Sequence, residues 1–408
     1  MSPADWRFWS ALFAATIFLS YSAAAANQCD PPQDPEAAII DCTQSINSGK
    51  WKGRYLAAFY TNRAAAYRAT GDNDRAIADL NEAIRLDPKL AMAHNNRGAA
   101  YNEQGDNDRA IADYNEAIRI DPKLAMAFSN RGNAYSDKGD NDRAIADYNE
   151  AIRLDPERAK AFNHRGYAYS DKDRAIADYN EAIRLNPKSG MAFHNRGVAY
   201  LEKGDNDRAI ADYSEAIRID PEDASAFNGR GVAYRAKGDL DRASADYNEA
   251  IRLNPKSSVA YFARGRSYLF AGSVEKALAD FNQASAHAPE NAYLALWVDI
   301  VSRRNNLPSR LAQTSSRIDM TVWPAPVVRL FMDQMTPAAV LAAADDPDAT
   351  KRKGQVCEAN FYSGELSLTK GLKDEATRLF RLAASDCPHS FNEWDGANAE
   401  LKALGVVP

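Results

Sequence analysis

Residues 57–291 repeat themselves every 34 residues, and that period governs everything the chain can fold into. The blocks are 57–90, 91–124, 125–158, 159–189, 190–223, 224–257 and 258–291. Their second halves are near copies: Asp-Arg-Ala-Ile-Ala-Asp-Tyr-Asn-Glu-Ala-Ile-Arg-Leu-Asp-Pro at 142–156 recurs with small changes at 108–122 and 207–221. A unit this short cannot bury an apolar face by itself, so successive units must stack.

Both halves of a block read as helices. Ala144, Ile145, Tyr148, Ala151 and Ile152 fall at three- and four-residue spacings, and Phe128, Arg131, Gly132 and Tyr135 do the same in the first half. Gly139 stands where the first helix must stop in a left-handed residue, Asp140 where a cap is needed, and Pro156 where the second helix must end. Gly132 and Ala144 are small where two antiparallel helices come close, with Tyr135 and Tyr148 filling the space around them. The expected fold is all-α, built of antiparallel helix pairs.

This pattern resembles the tetratricopeptide repeat family. Phe128, Gly132, Tyr135, Ala144, Tyr148, Ala151 and Pro156 occupy its characteristic places, as do Phe193, Gly197, Tyr200, Ala209, Tyr213, Ala216 and Pro221. The resemblance implies a right-handed superhelical solenoid whose first helices line a concave groove that holds peptides or proteins. One departure is an Arg where the family often has Leu: Arg63, Arg97, Arg131, Arg165, Arg196, Arg230 and Arg264. An Asp recurs in step with it, from Asp79 to Asp280, and we expect the two to pair. Block 159–189 is three residues short, nearly one helical turn, which predicts a shortened first helix or a tighter turn.

The ends depart from the period. Residues 8–19 are apolar and lead into Ala23–Ala26, which reads as a secretory signal peptide over 1–26. The competing reading is an uncleaved anchor, and only then would the chain associate with a membrane. Residues 27–56 hold a capping helix over 35–46. Cys29, Cys42, Cys357 and Cys387 form one local pair at each end, a pattern that in an exported chain suggests two disulfides. Residues 292–356 are divergent, with helices expected over 292–305, 308–318, 326–333 and 337–344. A last repeat at 357–390 and a final capping helix at 393–404 follow.

Residues 320–404, with Trp323-Pro, 359–364 and 387–391, resemble the tail of the NlpI family of periplasmic lipoproteins. That resemblance implies an envelope adaptor, partners such as envelope proteases or cell-wall enzymes, and a homodimer. The sequence before Cys29 lacks a lipoprotein-type acylation site.

A formal net charge of −6 excludes the strongly basic surface that generic nucleic-acid binding needs. His94, His164, His194, His287 and His389 lie on separate repeats, and no metal, nucleophile or phosphate-loop motif occurs. No enzyme, metal or cofactor is therefore expected. A carrier or enzyme with a small-molecule cavity formed by 292–356 is the alternative. Positions that vary between near-identical blocks are free to carry recognition. On the first helices these predict a groove lined by Asn95, Asn102, Glu103, Ser129, Asn133, Asp137, Asn163, Tyr167, Asp171, His194, Glu202, Asn228, Arg235, Phe262, Arg266 and Phe270. Its middle is polar and acidic, its far end apolar and basic. Asn-rich walls suit the backbone of an extended peptide.

Overall fold

The computed structural model describes Cys29, residues 34–388 and residues 391–406. The expected signal peptide, 1–26, and His389 lie outside the described residues. The chain divides into two compact units, one running to Lys188 and one from Ser189 onward.

The first unit opens with α1 (Pro35–Asn47), capped by the Asp34 carboxylate. Four hairpins follow: α2 (Gly53–Ala69) with α3 (Asn73–Leu86), α4 (Ala91–Glu103) with α5 (Asn107–Ile120), α6 (Ala125–Asp137) with α7 (Asn141–Leu154), and α8 (Ala159–Ala168) with α9 (Lys172–Leu185). Each full-length turn is built alike. Gly139 takes φ +79°, the Asp140 amide donates to the Tyr135 carbonyl at 2.9 Å, and the Asp140 carboxylate accepts from the Arg143 amide at 3.1 Å. Within the hairpin a Cβ added at Gly132 would lie 2.7 Å from Cε1 of Tyr148, so only glycine lets that ring seat. Ala144, Tyr148 and Ala151 are fully or nearly fully buried there.

The recurrent arginine ties hairpins together. Arg131 donates from Nε and Nη2 to both oxygens of Asp147, at 2.8 and 2.7 Å, and from Nη1 to Asn115 Oδ1 of the preceding hairpin at 2.6 Å. The same fork joins Arg97 to Asp113 and Asn81, and Arg165 to Asp178 and Asn149. At the start of the unit Arg63 pairs with Asp79 and reaches Thr43 of α1, which thus stands in for a preceding second helix. These forks are mostly shielded, and each gives both carboxylate oxygens a charged donor. The Cys29–Cys42 disulfide lies at the same end, with Phe59 and Trp51 against it.

The second unit comprises α10 (Gly190–Glu202) and α11 (Asn206–Ile219), α12 (Ala224–Ala236) and α13 (Leu240–Leu253), and α14 (Ser258–Phe270) and α15 (Val274–His287). The Arg–Asp fork persists at Arg196–Asp212, Arg230–Asp246 and Arg264–Asp280. Then come α16 (Ala292–Arg304), α17 (Leu311–Thr314), α18 (Ala325–Phe331), α19 (Pro337–Ala342), α20 (Ala349–Thr369), α21 (Lys373–Asp386) and α22 (Asn392–Ala403). The partner helix expected over 308–318 shrinks to α17 and one 3-10 turn. Pro308 and the Thr314-Ser315-Ser316 run, whose hydroxyls bond back to local carbonyls, explain the loss. In the other direction α20 starts at Ala349, upstream of the expected 357, with Asp348 as its cap. Phe281, Trp297, Ile300, Val327, Phe331, Phe361 and Phe380 form one continuous core here, whereas the described residues of the first unit include several smaller clusters. Cys357 and Cys387 are bridged across α20 and α21.

Among the described residues no strand forms, and no helix is long and apolar enough to cross a membrane.

Candidate functional site

Within each unit successive first helices touch one another, α2 on α4, α4 on α6, α6 on α8, and separately α10 on α12 and α12 on α14. Helices in mutual contact on one side of a stacked array form its inner face.

In the first unit this face is stitched by its own polar groups. Arg68 forks Glu103 of the next first helix at 2.5 and 3.3 Å. Asn102 donates to Asp137 at 2.9 Å and to Asn107 at 2.7 Å. The acidic middle expected from Glu103 and Asp137 is thus partly neutralised by ladder contacts, with Arg68 a partner that the sequence pattern did not single out. Asn133, half-buried, accepts from the Tyr148 hydroxyl at 2.8 Å.

Four of the expected groove residues are corrected. Asn95, Ser129, Asn163 and His194 do not face an open groove; all four are buried. Asn95 shows why: it accepts from Asn130 and donates toward the Met126 sulfur, so its position lies in the seam between neighbouring first helices. Asp171, which is exposed, also has a structural task. It caps α9, accepting from the Asp173 and Arg174 amides at 2.9 and 3.0 Å, because the three missing residues draw the cap aspartate back to that place. Its helix α8 stops after ten residues, and Tyr167 near its end stands 63% exposed.

In the second unit Glu202 is exposed and Asn228 half-buried. His194 sits with its ring 5.5 Å from Tyr213 and Nδ1 3.4 Å from Asp223. The basic, apolar end is present but already occupied. Arg235 Nη1 meets Asp395 of α22 at 2.6 Å. Arg266 bonds Asp395 at 3.1 Å, the Asn392 carbonyl at 3.0 Å and the Asn392 side chain. Phe262 and Phe270 flank the Arg266 guanidinium at 5.8 and 5.9 Å, and Phe262 continues into the Phe281–Trp297 stack. Burial, then the like charge of Arg235, push Arg266 down to about 10. Burial opposes the Asp395 charge too, but the two arginines outweigh it and hold its carboxyl below the usual range. Contacts between residues 126 or more apart leave no periodic trace, so Asn392 and Asp395 could not be found from the repeat.

Behind this contact lies a set of buried carboxyls. Glu358 Oε2 accepts from the Tyr293 hydroxyl at 2.8 Å and the Trp323 indole at 2.7 Å, and Glu393 accepts from the Tyr362 hydroxyl at 3.0 Å. Burial, then Glu393, push the Glu358 carboxyl up to about 7. Arg304 joins Glu365 at 2.5 Å and Glu400 at 2.8 Å, pinning α16, α20 and α22 together. Among the described residues no group of three or more His, Cys, Asp or Glu side chains is placed to hold a metal. Two open surface depressions, of about 690 and 410 Å³, lie at turns around Asp106 and Asp205.

Profiles of the tetratricopeptide repeat match residues 64–105, 99–139 and 132–173, then 167–224 and 194–258, then 246–279. Among solved structures, a tetratricopeptide repeat protein from Parabacteroides merdae is 23% identical, covering 60% of this chain and 98% of that one at a TM-score of 0.48. The APC/C hetero-tetramer Cut9–Hcn1 is 17% identical over 66% of this chain and 53% of its own, with a TM-score of 0.55. MamA is 30% identical over 40% of this chain and 96% of its own, with a TM-score of 0.36. The repeat matches run without a break over more than half of the sequence, and the chain belongs to the tetratricopeptide repeat family.

Proposed function

We propose that this protein is a non-enzymatic scaffold that holds a peptide or protein segment along the inner face of its first helices. One observation carries the reading. Residues that build the hairpins repeat from block to block, whereas the ninth position of each block, on the first helix, runs Ala65, Ala99, Asn133, Tyr167 in the first unit. Scaffold positions hold one residue type from block to block; a position that differs can carry recognition, and Tyr167 is an exposed aromatic of the kind that anchors partners. Two disulfides support a compartment outside the cytoplasm, which agrees with the signal-peptide reading of 1–26. Envelope proteases or cell-wall enzymes as partners, and a homodimer, rest on the NlpI-family resemblance of 320–404 alone.

A photo-crosslinking residue placed at Tyr167 in cells tests the groove, with Ala112 on the exposed side of α5 as control. The reading requires a discrete adduct from position 167 that position 112 does not give. The same adducts from both positions, or none from 167, would overturn it.

A further inference from the structure

The contact between α22 and the inner face has an unusual charge balance. Two guanidiniums, Arg235 on α12 and Arg266 on α14, share the single carboxylate of Asp395. The neighbouring Glu393 offers little help: it is spent on Tyr362, and burial raises its pKa toward the neutral acid. Arg266 is 3% exposed, and its Nε–H finds no partner among the described residues. A buried donor left unmade on a charged group is costly, and here it lies beside a second cation. The pair is therefore short of one hydrogen-bond acceptor, and its two positive charges face the single charge of Asp395.

The three side chains also differ in access. The Asp395 side chain is 35% exposed, whereas those of Arg235 and Arg266 are 13% and 4% exposed. The carboxylate sits at the rim and the cations sit behind it. The rest of α22 is anchored independently: Leu401 and Ala397 are in the core, Gly396 lies against Phe361, and Glu400 is bonded to Arg304. A rotation of the Asp395 side chain would release Arg235 and one bond of Arg266, with Asn392 still holding Arg266, and would not undock the helix.

We propose that Arg235 and Arg266, walled by Phe262 and Phe270, form a carboxylate-recognition site of the inner face, held in cis by Asp395. The partner it fits is an acidic peptide segment bearing an aromatic residue, which exchanges its carboxylate for that of Asp395. The local sequence around the internal occupant, Phe391-Asn-Glu-Trp394-Asp395, has this composition itself. Arginine pairs select planar carboxylates by forked hydrogen bonds, and the rings add a shielded wall. The proposal rests on the scaffold reading above but concerns the second unit, so the Tyr167 crosslink and the binding test below can fail separately.

The test uses the full chain and a fluorescent, end-blocked peptide of sequence Phe-Asn-Glu-Trp-Asp-Gly-Ala, with a second peptide carrying Gln and Asn in place of Glu and Asp. Binding is read by anisotropy. The variant Asp395→Ala should bind the acidic peptide at least about tenfold more tightly than the wild type, and added salt should weaken that binding. Adding Arg235→Ala to Asp395→Ala should abolish the gain. Asp395→Asn, which keeps the side chain's size, should give an intermediate gain and guards against misfolding, checked by circular dichroism. Equal affinity of wild type and both Asp395 variants, equal binding of the neutral peptide, or no binding by any chain would overturn the proposal.

Discussion

Replacing Glu358 by Gln should remove one buried carboxyl's share of the stability that the second unit loses with rising pH, while Glu365 and Glu393 keep theirs. The Glu358 carboxyl is buried among Tyr293, Trp323 and Tyr362, with Glu393 nearby, and it titrates at about 7 against 4.5 for an ordinary glutamate. The folded protein holds this proton to higher pH than the unfolded chain does. Its contribution is therefore fully present below about pH 4.5 and is lost as the pH rises through about 7, in total roughly 3 kcal/mol at about 1.4 kcal/mol per unit. Glutamine is neutral throughout, and its amide oxygen can accept both the phenol and the indole. Urea unfolding, followed through the amide exchange of α20, should show wild type and Glu358→Gln nearly equal at about pH 4.5. At about pH 8 the variant should be the more stable, by up to about 3 kcal/mol. An identical pH slope for the two proteins, or a variant less stable at the alkaline end, would refute the assignment of that slope to this carboxyl.

Other consequences are simpler to read. The first unit should respond to pH in the opposite sense, because burial pushes the His164 imidazole down to about 4; stability present above pH 6.5 is lost as the pH falls toward 4, and His164→Phe should flatten the acid limb of its melting curve. Gly132→Ala places a Cβ 2.7 Å from the Tyr148 ring and should cost about 1–3 kcal/mol by urea titration, although alanine is the better helix former by about 1 kcal/mol. Asp147→Ala strips Arg131 of its fork and should cost about 3 kcal/mol, whereas Asn115→Ala removes one bond and should cost about 1 kcal/mol, both read from urea midpoints. Breaking the Cys357–Cys387 bridge, whose cysteines are 30 residues apart, should destabilise the second unit by about 3–4 kcal/mol, seen as a lower midpoint in the presence of reductant.

The hairpins were legible because each one satisfies its own local rules. Gly139, Asp140 and Pro156 mark ends through backbone chemistry that needs no distant partner. The Arg–Asp pairing was legible for a related reason: a charge that recurs in every block, with an opposite charge 16 residues on in most of them, has few other uses. What could not be read was which variable positions look outward. Asn95 and Asn133 both sit on first helices in varying positions, yet one is closed in a seam and the other half open. The capping task of Asp171 was not read either, because a deletion gave it that place without changing its type. The occupied arginine pair was hidden altogether, since α22 meets Arg266 across 126 residues of chain.

The bonds that Arg97 and Asn115 make also turn the hairpins of the first unit into interchangeable parts. Hairpin 91–124 takes the acceptor for its arginine from Asn81 behind it and hands Asn115 to Arg131 ahead, the same chemistry entering and leaving. A second copy of residues 91–124 spliced in directly after Leu124 would therefore find compatible edges on both sides, each junction closed by the same three-way bond.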